Sequence, residues 1–211
     1  MTIQEYTLAQ FESVGALRSG HFVLASGRHS DRYLNKDAIY PHTTKISRLC
    51  RKIATHFDDS LMNIEVVVGP EKGGIILAQW VAAALCCWDF EVLAVYAEKA
   101  PERDFVFNRG YAQLVVNKRV LVVEDILTTG ESVERVVHAV REVGGEVIGV
   151  GALCNRGDVT AEQLGVPELK CLCELKLDSW TEADCPMCQA DVPVNTEVGK
   201  GREFLAAQSA Y

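Results

Sequence analysis

The sequence predicts an α/β fold: a doubly wound, mainly parallel sheet preceded by a small hairpin-like element. Three observations carry this expectation. Apolar runs rich in β-branched residues recur at Ile64–Gly69, Val92–Ala97, Val120–Val123 and Glu146–Leu153, and such runs suit strands covered on both faces, as in a parallel sheet. Between them lie segments with apolar residues every three to four positions, the period of a helix packed on a sheet. The chain has 211 residues, 48% of them hydrophobic, enough for one α/β domain with an added subdomain and a sizeable core.

Taken in order, Gln4–Leu17 carries apolar residues at 8, 11, 14 and 17 and reads as a short amphipathic helix. Gly20–Asn35 reads as strand, polar turn and strand, a hairpin outside the main sheet. Thr43 or Thr44 can cap a helix to Phe57, with Ile46, Leu49, Ile53 and Phe57 on one face. Strand Ile64–Gly69 leads through Pro70-Glu71-Lys72-Gly73-Gly74 into a helix at Ile75–Cys87, apolar almost all round and expected to be buried. This turn lacks the GxxxxGKS order of a nucleoside-triphosphate loop. Its glycines suit a tight turn, and they leave the backbone open to close approach. After strand Val92–Ala97 come the charged segment Glu98–Asp104 and a second strand-like run, Phe105–Gln113.

The stretch Val120–Ser132, VLVVEDILTTGES, joins a buried strand, an acidic pair at its end and a small-residue turn. Helix Ser132–Val143 follows, with its stripe at 133, 136, 137, 140 and 143 ended by Gly144-Gly145. A loop at a helix N-terminus presents unpaired N–H groups and the positive end of the helix dipole to a phosphate. Thr128, Thr129 and Ser132 add side-chain donors. Glu124 and Asp125 cannot bind phosphate directly, but they can accept hydrogen bonds from sugar hydroxyls or hold a divalent cation through water. Phosphate on one side and a polyol on the other suggest a phosphorylated sugar. The next strand ends at Cys154-Asn155-Arg156-Gly157, placing Arg156 at the sheet edge where open α/β folds bind ligands; its guanidinium can grip a carboxylate through two parallel bonds.

At these residues the chain resembles a known family. The strand, acidic pair, two hydrophobic residues and TTGxS look like the phosphoribosyl-diphosphate signature of type I phosphoribosyltransferases. Ser26-Gly27-Arg28-His29-Ser30 with Tyr33 is similar to the N-terminal segment of orotate phosphoribosyltransferases, where it lies in a hood over the base site; Ala25 stands where many members have lysine. The resemblance implies one type I phosphoribosyltransferase domain over residues 1–211, with 1–40 and part of the C-terminal tail as the hood. It implies transfer of the phosphoribosyl group to orotate, with Mg2+ held mainly through substrate and no direct protein ligand. Phosphoribosyl diphosphate would be bound by Lys72 and Gly73 and by Glu124, Asp125, Ile126, Leu127, Thr128, Thr129, Gly130, Glu131 and Ser132. Orotate would meet Thr128 and Arg156. Catalytic roles would fall to Asp125, Glu124, and Lys99 and Arg103 of a mobile loop that closes over a neighbouring subunit's site, which implies a homodimer. Two other readings stay open: a phosphoribosyltransferase for another base, and a regulator that binds phosphoribosyl diphosphate with little catalysis. Ala25 and a mobile loop poor in lysine and glycine favour the latter.

Composition bounds the partners. A net charge of -8 argues against nucleic acid or an anionic membrane, and the longest apolar run, Ala82–Trp88, is too short to span a bilayer. The first residues lack the pattern of a secretory signal, so a cytoplasmic protein is expected, with its eight cysteines as thiols. Cys50, Cys86 and Cys87 read as core. Cys171 and Cys173 together with Cys185 and Cys188 could supply four thiolates to zinc. The first pair also fits the inward face of an ordinary strand, and no zinc site is assigned from sequence.

Overall fold

The computed structural model describes residues 1–57, 63–86, 90–101 and 104–208. The chain forms two compact units, one of residues 1–7 and 39–175 and one of residues 8–38 and 176–211. It opens with α1 (Ile3–Ser13), shorter than expected: Gly15 turns the chain at φ 68°, and Leu17 already belongs to a strand.

The smaller unit is built on an antiparallel hairpin of β1 (Leu17–Val23) and β2 (His29–Leu34), as the sequence predicts. Its turn is closed by Leu24 N–H donating to the Arg28 carbonyl. The C-terminal segment pairs back onto this hairpin. His29 and Trp180 exchange backbone hydrogen bonds of 2.8 and 2.9 Å, and Asn195 N–H donates to the His21 carbonyl at 2.7 Å. Arg28 and Arg32 are exposed, and Arg28 Nε donates to Ser179 Oγ.

The larger unit starts with α2 (Thr43–His56). His42, not a threonine, is the residue before its first turn, and no side chain caps it. Then follow β3 (Val66–Pro70), α3 (Gly73–Leu85), β4 (Leu93–Lys99), β5 (Phe105–Val106), α4 (Ala112–Val115), β6 (Arg119–Leu127), α5 (Glu131–Glu142), β7 (Glu146–Asn155), α6 (Ala161–Leu164) and β8 (Leu169–Glu174). The sheet order is β5-β4-β3-β6-β7-β8, with every neighbouring pair parallel except β4 with β5.

Alternation along the strands puts helices on both faces. Val66, Val68, Val120, Val122 and Val150 share one apolar cluster with Val133, Val136, Val137 and Val140 of α5. On the opposite face Gly149 and Gly151 leave room for α2: a methyl group there would come within 2.7 Å of Phe57 and 2.5 Å of Ile53. This is the doubly wound α/β fold that the strand and helix periods predict.

Four local expectations need correction. Strand β6 does not stop at Val123. It runs on to Leu127 because β7 keeps pairing with it, Glu124 opposite Ala152 and Leu127 opposite Asn155. The run Phe105–Gln113 is a strand for only two residues, because Arg109 and Gly110 at φ 59° and 80° turn the chain into α4. Helix α3 buries only one face, formed by Gly74, Leu77, Ala78, Val81 and Ala82, while Gln79, Trp80 and Ala83 reach the surface. Cys50 is core, but Cys86 is exposed, and Cys87 lies outside the described residues. Among the described residues no helix is long and apolar enough to cross a membrane.

Candidate active site

The order of the sheet locates the site. From β3 the chain passes through α3 to β4 on one side, then returns to form β6 on the other side of β3 and continues through α5 to β7. Winding therefore reverses between β3 and β6, and in open α/β sheets ligands bind at the carboxyl ends of such strands. Those ends carry Pro70-Glu71-Lys72-Gly73 and Asp125–Ser132, the two stretches singled out from sequence.

Within β6 the acidic pair is sunk rather than displayed: Glu124 is 7% exposed and Asp125 1%. A carboxylate so buried needs hydrogen-bond donors. Asp125 Oδ1 accepts from Ile126 N–H at 2.7 Å, and Oδ2 accepts from the Tyr40 hydroxyl at 2.5 Å. Glu124 Oε1 accepts from Asp125 N–H at 2.9 Å. Tyr40 is a site residue that sequence reasoning missed; it sits in an unpatterned connection ahead of α2, with no motif to mark it.

Gly73 belongs to the same arrangement. It opens α3, and a Cβ there would collide with Asp125 Oδ2 and with the Tyr40 hydroxyl. Gly69 and Gly74 are equally constrained, since a Cβ on either would strike the other's backbone or Pro70. The glycines thus bring the turn after β3 down onto Asp125. Lys72 stands exposed just before α3, and the Glu71–Lys72 peptide is cis. Glu71, unremarked in the sequence, accepts the Lys99 N–H at 3.0 Å and ties this turn to the end of β4.

The loop after β6 is held from behind and open in front. Thr128 and Thr129 are exposed, and Gly130 takes the left-handed conformation at φ 80° that starts α5 without any side-chain cap. Gln163 Nε2 donates to the Thr129 carbonyl at 2.8 Å. Arg156 N–H donates to the Leu127 carbonyl at 2.7 Å, and Gly157 passes so close to the Thr128 carbonyl that no Cβ would fit. Asn155 clamps the following turn through 2.9 and 3.1 Å bonds with Val159. Asn155 and Gln163 were not foreseen. They brace the start of a twelve-residue helix whose first N–H, that of Glu131, donates to Thr129 Oγ at 3.4 Å; a helix N-terminus beside exposed threonines is a ready anion site.

Beside this helix start lies a cavity of about 320 Å³ lined by Lys99, Ala100, Phe105, Glu131, Ser132 and Arg135. Glu131 and Arg135 form an ion pair across one helical turn. The structure therefore gathers Lys99 and Ser132 around one cavity, and brings Tyr40, Gly73 and Asp125 into mutual contact where β3 and β6 end. Arg156 is half-buried at the end of β7. Arg103 lies outside the described residues.

Comparison with known proteins gives the family. The phosphoribosyl transferase domain family matches residues 36–168. Orotate phosphoribosyltransferase of Caldanaerobacter subterraneus subsp. tengcongensis is 37% identical over 90% of this chain and 95% of its own length. The enzyme of the same name from Pelotomaculum thermopropionicum is 40% identical over 88% and 92%. Among solved structures, Mycobacterium tuberculosis orotate phosphoribosyltransferase, in complex with Fe(III) dicitrate, superposes with a TM-score of 0.65 at 28% identity, covering 81% of this chain and 97% of that one. The chain belongs to the phosphoribosyltransferase family. Within that family its relatives bear the name orotate phosphoribosyltransferase.

Proposed function

We propose that the protein is an orotate phosphoribosyltransferase: it moves the 5-phosphoribosyl group of phosphoribosyl diphosphate to orotate, giving orotidine 5'-monophosphate and diphosphate. The reading supplies a step of pyrimidine nucleotide synthesis. The observation that carries it is the buried Asp125 carboxylate, fixed by Tyr40 and pressed against Gly73 at the winding reversal of the sheet, in a chain whose relatives at 37 and 40% identity bear this name.

In this mechanism the bond from the anomeric carbon to the diphosphate breaks as a nitrogen of orotate attacks, and positive charge grows on the ribosyl ring. The N–H groups at residues 129–132, with the hydroxyls of Thr128, Thr129 and Ser132, hold the 5-phosphate, while Ile126, Leu127, Gly130 and Glu131 set the backbone path of that cradle. Glu124 and Asp125 accept from the ribose hydroxyls and face the growing charge, which is where preorganised electrostatics contributes most. Lys72 attracts the departing diphosphate, and Gly73 lets the backbone approach it. Thr128 and Arg156 receive orotate, Arg156 pairing with its carboxylate.

Mg2+ fits as an ion carried by substrate. Both Asp125 oxygens and one Glu124 oxygen are engaged by protein donors, which leaves this pair poorly suited as an inner coordination sphere. When bound, Mg2+ would neutralise charge on the diphosphate as it leaves.

The protein is read as a cytoplasmic homodimer in which each copy lends Lys99 and Arg103 to its neighbour's site, with residues 8–38 and 176–211 in the role of the hood. No nucleic acid or membrane partner is assigned, in keeping with the net charge of -8. Arg156→Ala should raise the Michaelis constant for orotate about tenfold or more, since a bidentate charged pair is worth roughly 1.5–3 kcal/mol, with much less change for phosphoribosyl diphosphate. Equal changes for both substrates in initial-rate kinetics would remove Arg156 as the carboxylate clamp.

A further inference from the structure

A second cluster of reactive side chains lies wholly within the smaller unit and takes no part in phosphoribosyl transfer. His21 from β1, His29 from β2, and Cys185 and Cys188 from the CPMC segment bring one donor atom each to within 4.8 Å of one another. We propose that these four residues form a structural zinc site that staples the C-terminal segment to the hairpin.

The distances fit that ion. A tetrahedral zinc with bonds of about 2.0–2.1 Å to nitrogen and 2.3 Å to sulfur sets nitrogen and sulfur roughly 3.5 Å apart. His21 Nε2 lies 3.6 Å from both Cys185 Sγ and Cys188 Sγ, and His29 Nδ1 lies 3.3 Å from Cys188 Sγ. The two imidazole nitrogens, 2.7 Å apart, would spread by about 0.6 Å to take up the ion. Two cysteines separated by two residues, with histidines completing the set, is a frequent zinc-ligand pattern.

Protons and lone pairs agree as well. His21 Nδ1 sits 2.7 Å from the Val192 carbonyl, which can only accept, so this nitrogen carries the proton and Nε2 offers a lone pair toward the sulfurs. A backbone carbonyl orienting a ligating histidine in this way is the usual outer shell of a zinc site. His29 and Cys185 are fully buried and His21 is 2% exposed. His29 turns Nδ1 toward Cys188 Sγ and His21 Nε2, so this is the atom it would offer to the ion. Three buried donors and a half-buried thiol crowded this closely are costly without a common partner. A cation supplies one.

The placement explains what the ion would do. Residues 21 and 29 are also where the tail pairs with the hairpin, through Asn195 and Trp180 respectively. His21 and Cys185 are 164 residues apart in sequence, and a unit made of two short segments gains most from such a clip. Four protein ligands leave no open position, which makes the site structural rather than catalytic. The CxC pair is excluded from it. Cys171 and Cys173 lie on β8 in the larger unit; Cys173 Sγ donates to the Leu153 carbonyl at 3.3 Å, and burial pushes the Cys171 thiol up to about 12. Compared with the four-cysteine grouping left open from sequence, this site keeps CPMC and has two histidines in place of CxC.

Elemental analysis of the purified protein tests this. It should hold about one zinc per chain, and Cys185→Ser with Cys188→Ser, or His21→Ala, should lower that at least tenfold, while Cys171→Ser with Cys173→Ser keeps it. Zinc retained by the first variants, or lost from the last, overturns the assignment. If the ligand variants fail to fold, wild-type protein reloaded with Co2+ should show the strong visible bands and thiolate charge transfer of a tetrahedral sulfur-ligated site. A faint octahedral spectrum, or metal-free folded protein with Cys185 and Cys188 joined in a disulfide, overturns it equally.

Discussion

Asp125→Asn should lower turnover by about a hundred- to a thousandfold, the usual effect of removing one preorganised electrostatic contact with a transition state, and should leave the fold intact. The amide retains the shape of the carboxylate. Its oxygen can still accept from Ile126 N–H, and its NH2 group can donate to the Tyr40 hydroxyl, which accepts as readily as it donates. Both of these contacts survive with the Tyr40 bond reversed, so the thermal midpoint should move by only a few degrees. What disappears is the negative charge. Tyr40→Phe is the companion variant: it removes one donor and keeps the charge, and it should cost far less activity. Near-normal turnover for Asp125→Asn in initial-rate measurements would remove that residue from the mechanism.

The second large effect is expected from a single methyl group. Gly73→Ala places a Cβ on the Asp125 carboxylate and the Tyr40 hydroxyl, so the start of α3 or the carboxylate must move. Alanine gains about 1 kcal/mol over glycine inside a helix, but overpacking of this kind costs about 1–3 kcal/mol. Displacement of roughly 1 Å at a reacting centre is worth about a hundredfold in rate, and turnover should fall by that order. Gly69→Ala should act in the same direction, because its Cβ meets the backbone of Gly74 and shifts the same turn. Wild-type kinetics for Gly73→Ala would show that the turn after β3 is not held against the carboxylate.

Much of this was legible in the sequence, for physical reasons that also explain what was not. The parallel sheet followed from β-branched runs with no polar alternation, because a strand covered on both faces needs none. The loop at 128–132 was legible because glycine and hydroxyl residues between a strand and a helical stripe have few other uses. Strand β6 was cut short because polarity alone marked its end, whereas its length is set by pairing with β7 through Asn155. Tyr40, Asn155 and Gln163 were invisible for a related reason. Tyr40 and Gln163 each act through one hydrogen bond to a residue distant in sequence, and Asn155 closes a turn through two side-chain bonds to Val159; no helical or strand period records such bonds. The histidines of the proposed zinc site were missed because ligand spacing was sought among cysteines, while the hairpin supplies its two ligands from opposite strands of the chain's beginning.

The measurement that bears most directly on the central reading is the loss of orotate absorbance with phosphoribosyl diphosphate and Mg2+ present, repeated with adenine, hypoxanthine, xanthine and uracil in its place. Orotate should be consumed only when both the sugar donor and Mg2+ are supplied, with stoichiometric release of diphosphate and no comparable turnover of the other bases. Faster turnover of another base, or binding of phosphoribosyl diphosphate without consumption of any base, would contradict the account.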